Sequence, residues 1–127
     1  MRILSLTFAG FMLAVATMPA AEKPSAEHVK IMKDLGAQSG AIRKGVDVAK
    51  NAAAMEETMK AVTKYWASKS DAAKKACADS SAGAAAAAKA GDDKAALAAA
   101  MKMVGAGCKG CHDAHREKVS DTEYLIK

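Results

Sequence analysis

A heptad of apolar residues constrains most tightly what this chain can fold into. In one stretch the apolar positions advance alternately by four and three residues: Val48, Ala52, Met55, Met59, Val62 and Trp66. A second stretch repeats the pattern closer to the C-terminus: Leu97, Met101, Val104, Cys108 and Cys111. This spacing returns to the same face of an α-helix at every turn, so both stretches are predicted to be amphipathic helices. No segment shows the strict alternation that is typical of a strand.

Capping residues predict two further helices. The first runs from about Ala26 to Arg43, and Gly45 ends it. The third starts after Ser70 and continues through Cys77 into an alanine tract at 84–88, which we interpret as a close helix contact. Asp92 is predicted to cap the fourth helix. Four amphipathic helices with short links predict an all-α fold, an antiparallel four-helix bundle.

The predicted core is poor in large side chains. Residues 22–127 contain 27 alanines but only 12 leucines, isoleucines and valines, with no phenylalanine. Alanine favours helix, yet its burial removes little apolar area from water. This composition argues against a β-sandwich or barrel and against a large enzyme with a deep cleft, so we expect no enzyme. Something other than aromatic side chains must fill the space between the helices.

The first 21 residues resemble a secretory signal peptide. Arg2 precedes an uncharged apolar run at 3–16, and small residues follow, with cleavage expected between Ala16 and Ala21. The run is shorter than the roughly 20 residues that a membrane span needs. We therefore expect residues 22–127 to form one exported domain in an oxidising compartment, without membrane insertion. The net charge of +5 is interspersed along the chain, which predicts no nucleic-acid binding.

The segment Cys108-Lys109-Gly110-Cys111-His112 is the C-x-x-C-H signature of covalent haem attachment. The two thiols add to the porphyrin vinyl groups, and the adjacent histidine becomes the proximal iron ligand. A disulfide, a redox pair or half of a zinc site are the alternatives. A redox motif of the thioredoxin type needs a βαβ surround. A zinc site needs four ligands, which Cys77 and His115 would have to complete.

The chain resembles the class II c-type cytochromes, the cytochrome c-prime superfamily, from Lys23 to Lys118. The motif lies at the end of the last helix and is followed by Arg116, while Trp66 stands late in the second helix. The tripeptide at 90–92, Ala-Gly-Asp, precedes the fourth helix. The resemblance implies a periplasmic four-helix bundle around one covalent haem c, Arg116 near the proximal imidazole, redox-protein partners and homodimers. The link between the second and third helices is shorter than in typical members.

The family divides at the sixth coordination site of the iron. The register of the first helix places Met32 there, which resembles the low-spin, methionine-ligated branch of one-electron carriers. His28 lies four residues earlier on the same face and is a competing ligand. An open site is the third option; it would make the chain a five-coordinate cytochrome c-prime that binds nitric oxide or carbon monoxide. A haem-free, metal-binding helical protein is the alternative from another class.

Three further expectations concern single residues. His115 is expected to face solvent. Cys77 is expected to be a small buried apolar side chain. Lys102, Lys109 and Lys118 either steer an acidic redox partner or are ordinary solubilising charges.

Overall fold

Four helices dominate the structure, a computed structural model that describes residues 20–127. They are α1 (Ala26–Arg43), α2 (Val48–Trp66), α3 (Asp71–Lys89) and α4 (Lys94–His115). The prediction of four helices is confirmed, and their arrangement is compatible with a four-helix bundle. The predicted signal segment lies outside the described residues except for its last two. Within residues 20–127, no helix combines the length and apolar character that crossing a membrane requires.

Local capping explains where the helices start and stop. The Ser25 and Ser70 hydroxyls each accept a backbone hydrogen bond in the first turn, from His28 and Ala73 at 3.1 Å. After α1, Gly45 adopts a left-handed φ of 73°. Its N–H reaches the Ile42 carbonyl at 3.0 Å, and the next N–H reaches the Ala41 carbonyl at 2.9 Å, as in a Schellman motif.

The predicted cap of the fourth helix was wrong by one residue. Asp93, not Asp92, caps α4, and its carboxylate accepts from the Ala96 N–H at 2.9 Å. The reason lies in the preceding turn, where Gly91 takes a φ of 56° and the Asp93 N–H returns to the Ala90 carbonyl at 3.0 Å. The helix can begin only after that turn closes.

The α3–α4 interface is packed through small residues. Ala84 and Ala87 of the alanine tract are fully buried, which confirms the tract as a close helix contact. A Cβ built on Gly83 would lie 2.8 Å from the Val104 nitrogen, and one on Gly107 would lie 2.4 Å from the Ala76 oxygen. These backbones touch because both positions lack a side chain. Gly83 of α3 meets α4 at Val104, whereas Ala76, earlier in α3, meets α4 at Gly107, later in that helix. The two helices are therefore antiparallel.

Helix α1 is packed much less completely than the others. It lies against α2, which in turn lies against α3, but it has no comparable contact with α4. Ile42 is its only buried residue, whereas Ile31, Met32 and Leu35 are only partly buried. By contrast the α2 heptad is buried as predicted, with Ala52, Met55, Met59, Val62 and Trp66 in the core. The apolar face of α1 is therefore turned towards a gap.

A short β-hairpin follows α4 and was not predicted. Its strands β1 (Arg116–Lys118) and β2 (Tyr124–Ile126) are antiparallel, with Arg116 opposite Ile126. Glu22 and Ile126 exchange both backbone hydrogen bonds at 2.8 Å, so the segment before α1 joins the hairpin. Three-residue strands carry too little alternation to be recognised, which explains why the sequence did not reveal them.

Candidate functional site

A cavity of about 720 Å³ fills the gap between α1 and α4. Its floor is the apolar face of α2, with Met55, Met59, Val62 and Trp66, and the hairpin closes one end with Tyr124, Leu125 and Ile126. A volume of this size and a lining that is mostly apolar are typical of pockets for cofactors. The core is poor in large side chains, as the composition predicted, and the cavity is the space that they leave unfilled.

All three motif residues lie on one wall of this cavity. Cys108, Cys111 and His112 are half-buried on the last turns of α4 and line the space together. Behind them, the buried Ser80 hydroxyl donates to the Val104 carbonyl at 3.0 Å, and its oxygen lies 3.8 Å from the Cys108 sulfur. The cysteines therefore continue the inward face of α4, as the heptad predicted.

The surroundings of the His112 imidazole favour its neutral form. Burial lowers its pKa most, the positive charge of Arg116 and the imidazole of His28 lower it further, and Asp113 opposes them. A neutral imidazole has a free nitrogen lone pair, which is the form that ligates metals. The electrostatics of this wall thus suit His112 as an iron ligand.

The opposite wall carries both candidates for the sixth ligand. Met32 lines the cavity and packs against the core, and His28 lines it one turn earlier on α1. The His28 ring is tilted against Tyr65 at 5.6 Å between centroids. Burial and then the nearby Lys69 charge lower the pKa of His28, so it too is favoured as the neutral imidazole. Met32 and His28 thus line the same cavity as the motif residues.

Arg116 lines the cavity but leaves the helix. It does not continue α4, which ends at His115. Instead its guanidinium lies 3.4 Å from the centroid of the Tyr124 ring, a cation–π contact across the hairpin. Its charge still reaches His112, as the lowered pKa of that imidazole shows.

The surroundings of His115 differ most from what the sequence predicted. It is half-buried instead of fully solvent-facing: its ring stacks on Trp66 with centroids 4.6 Å apart. Its Nδ1 lies 2.9 Å from the Lys127 carbonyl oxygen and its Nε2 lies 2.7 Å from the Ser70 hydroxyl. Since only a donor can satisfy the carbonyl, we assign the proton to Nδ1, and Nε2 accepts from Ser70. These partners lie far away in sequence, so no local signal could have revealed them.

One buried polar group at the cavity has no partner among the described residues. The indole Nε1 of Trp66 is buried without a hydrogen bond, although the side chain lines the cavity and is only 5% exposed. A buried indole N–H ordinarily finds an acceptor. A molecule that fills the cavity and carries an acceptor would satisfy it.

A third thiol lies beside the motif. Cys77 of α3 is 2% exposed, as expected of a small buried side chain, and it also lines the cavity. A hydrogen bond with Cys111, followed by burial, raises the pKa of Cys77 above its ordinary range. The same hydrogen bond lowers the pKa of Cys111, so of the two sulfurs Cys111 is the one that ionises first.

Two of the other sequence options find no support in the site. Within residues 20–127, no three His, Cys, Asp or Glu side chains come together as donors for a metal ion, so Cys77 and His115 do not complete a zinc set. Of the three lysines considered for partner steering, Lys109 pairs with Asp113, and Lys118 pairs with Asp121 at 2.8 Å. Such neighbouring carboxylates offset much of each lysine's charge.

Comparison with known proteins adds no relative. The chain matches no protein-family model, no curated protein and no solved structure. The functional inference therefore rests on the residues of this chain alone.

Proposed function

We propose that this chain is an exported monohaem c-type cytochrome that carries one electron at a time. One observation carries the proposal: the C-x-x-C-H residues line a large apolar cavity that separates α4 from α1, with a methionine on the facing helix. A disulfide or a zinc half-site would need no such cavity. Covalent attachment of a flat, apolar macrocycle needs both the motif and a space beside it.

The residues around the cavity fit haem. The lining is apolar where a porphyrin would lie, and the orphaned Trp66 N–H offers a donor to a propionate carboxylate. Lys33 and Arg43 of α1 add positive charge to the lining, which complements the two carboxylates of the group. The size of the cavity is within the range of cofactor pockets, about 300–1,000 Å³.

Each motif residue then has one role. Cys108 and Cys111 would form the thioether links, and His112 and Met32 would hold the iron. Haem supplies a single iron that changes by one electron between its ferric and ferrous states. A thioether ligand favours the ferrous state and raises the reduction potential. The Arg116 charge acts in the same direction, since a nearby cation disfavours the more positive ferric iron.

With both His112 and Met32 bound to it, the iron would have no position left for a substrate. The chain would then act by electron transfer to redox-protein partners, with hairpin and helices excluding water from the group.

The sixth ligand is tested by the ferrous absorption spectrum with and without carbon monoxide. We expect a low-spin wild type that does not bind the gas, and a Met32→Ala variant that becomes high-spin and binds it. His28→Ala is the matched control, one turn away on the same wall, and should leave the spectrum unchanged. Ready binding of carbon monoxide by the wild type would instead indicate a five-coordinate, gas-binding protein. Loss of the low-spin spectrum in His28→Ala alone would identify His28 as the ligand.

Attachment itself is tested by haem staining after denaturing electrophoresis. We expect a stained band for the wild type made together with a c-type maturation system. Cys111→Ala leaves at most one thioether link and should sharply reduce the stain. A colourless wild-type product under these conditions would favour a haem-free protein.

A further inference from the structure

The α3–α4 interface holds one more thiol than haem attachment uses. Cys77 is buried against the same cavity wall as the two motif cysteines and belongs to the core. A buried thiol beside two others is open to oxidation chemistry that a solitary buried thiol would not have.

The close approach of the two helices determines which sulfurs meet. A Cβ on Gly107 would lie 2.4 Å from the Ala76 oxygen, and one on Gly110 would lie 3.6 Å from the Ala76 Cβ. The helices are antiparallel here, so the residue after Ala76 faces the turn of α4 that follows Gly107. Ser80 of α3 lies against Cys108 of α4, so one turn back along α3 and one turn on along α4 place Cys77 beside Cys111. Cys108, one turn earlier, contacts the Ser80 hydroxyl instead, at 3.8 Å.

Helix geometry disfavours a disulfide within the motif. Residues three apart on a helix have Cβ atoms about 5–6 Å apart. A disulfide needs Cβ atoms about 3.5–4.5 Å apart. Helix α4 is continuous from Lys94 to His115, so joining Cys108 to Cys111 would require breaking one of its turns. Joining two helices that already touch requires no such break.

We propose that Cys77 and Cys111 are a thiol–disulfide pair that closes between α3 and α4 in the haem-free chain and withholds Cys111 from haem. The oxidant is a small or protein disulfide of the exported compartment. The Cys111 sulfur attacks it to form a mixed disulfide and releases one thiol. The Cys77 sulfur then displaces the second thiol, so two electrons and two protons pass to the oxidant. A thiol reductant reverses both steps.

Only the competition with haem rests on the proposed function; the disulfide does not. With Cys111 in a disulfide, one of the two sulfurs that form thioethers is blocked until the bond is reduced. The pair would therefore make haem attachment depend on the supply of thiol reductant.

Peptide mapping of the haem-free full chain tests the pair directly. The chain is made without a maturation system, oxidised with glutathione disulfide, alkylated and digested with trypsin. Cleavage after Lys109 separates the motif cysteines, so the three thiols fall in peptides 76–89, 103–109 and 110–116. We expect 76–89 linked to 110–116, with 103–109 alkylated. A link between 103–109 and either other peptide as the main product, or no link, would overturn the proposal.

Two variants and unfolding in urea test whether the folded chain favours the link between Cys77 and Cys111. Cys77→Ala should abolish it and leave Cys111 alkylated, whereas Cys108→Ala should retain it. In urea the helices no longer hold Cys77 beside Cys111, so the share of this link should fall. An identical mixture of links with and without urea would also overturn the proposal.

The haem-loaded fraction completes the test. With limiting maturation and no added reductant, Cys77→Ala should carry haem on a larger fraction of chains than the wild type, and added thiol reductant should remove the difference. A cross-link that maps as expected in a wild type that never takes up haem would refute the proposed function alone. Full haem loading without the expected cross-link would refute the pair alone.

Discussion

Substituting Gly107 by alanine should destabilise the α3–α4 interface that holds the C-x-x-C-H motif. An added Cβ would lie 2.1 Å from the Ser80 Oγ and 2.4 Å from the Ala76 oxygen. The hydroxyl can rotate only by giving up its bond to Val104. The Ala76 oxygen belongs to the backbone and would have to retreat about 1 Å to reach an ordinary contact. The two helices must therefore separate.

The size of the effect follows from two opposing contributions. Overpacking a tight core costs about 1–3 kcal/mol, and contact with backbone places this position in the upper part of that range. Alanine returns up to about 1 kcal/mol through its helix propensity. We expect a net loss of about 1–2 kcal/mol in the free energy of unfolding. For a domain near 100 residues this lowers the Tm by roughly 4–15 °C.

The assay is thermal and urea unfolding of the purified protein, with Gly40→Ala as the matched control. Gly40 also lies within a helix, but an added Cβ there meets nothing within 4 Å. The control should therefore gain about 0.5–1 kcal/mol. If Gly107→Ala unfolds at or above the wild-type temperature, the close approach of α3 and α4 is not a feature of the folded chain.

Further predictions concern a cap and a titration. Asp93→Ala should cost about 1 kcal/mol of stability in urea unfolding, whereas Asp92→Ala should stay within about 0.5 kcal/mol; equal losses would contradict the assignment of the cap. The lowered pKa of His28 means that the unfolded chain binds its proton more readily, so the haem-free chain should lose stability as the pH falls below about 6.5. His28→Gln should flatten that dependence in unfolding curves measured across the range, and an unchanged slope would show that His28 does not cause it.

Periodicity and caps predicted the helices because both are local signals. The face of α2 from Ala52 to Trp66 is buried as its heptad indicated, and α1 begins and ends where Ser25 and Gly45 placed it. The motif residues face inward for the same reason, since they continue the heptad of α4. The bounds and the buried face of a single helix can thus be predicted from its own sequence.

The packing of one element against another could not be predicted in this way. The apolar face of α1 was recognised, but the gap that it leaves beside α4 depends on how the bundle packs. The environment of His115 is set by Trp66, Ser70 and Lys127, all distant along the chain. The hairpin that takes Arg116 out of α4 is too short to show a pattern in the sequence.

The central claim is that one haem is covalently held in the cavity between α1 and α4. The most direct test is the intact mass of the exported wild-type protein, made with a c-type maturation system and measured after denaturation and acid-acetone extraction. The account predicts the mass of the polypeptide plus one haem, and the mass of the polypeptide alone for a Cys108→Ser, Cys111→Ser double variant. A wild type that shows only the polypeptide mass would contradict the account.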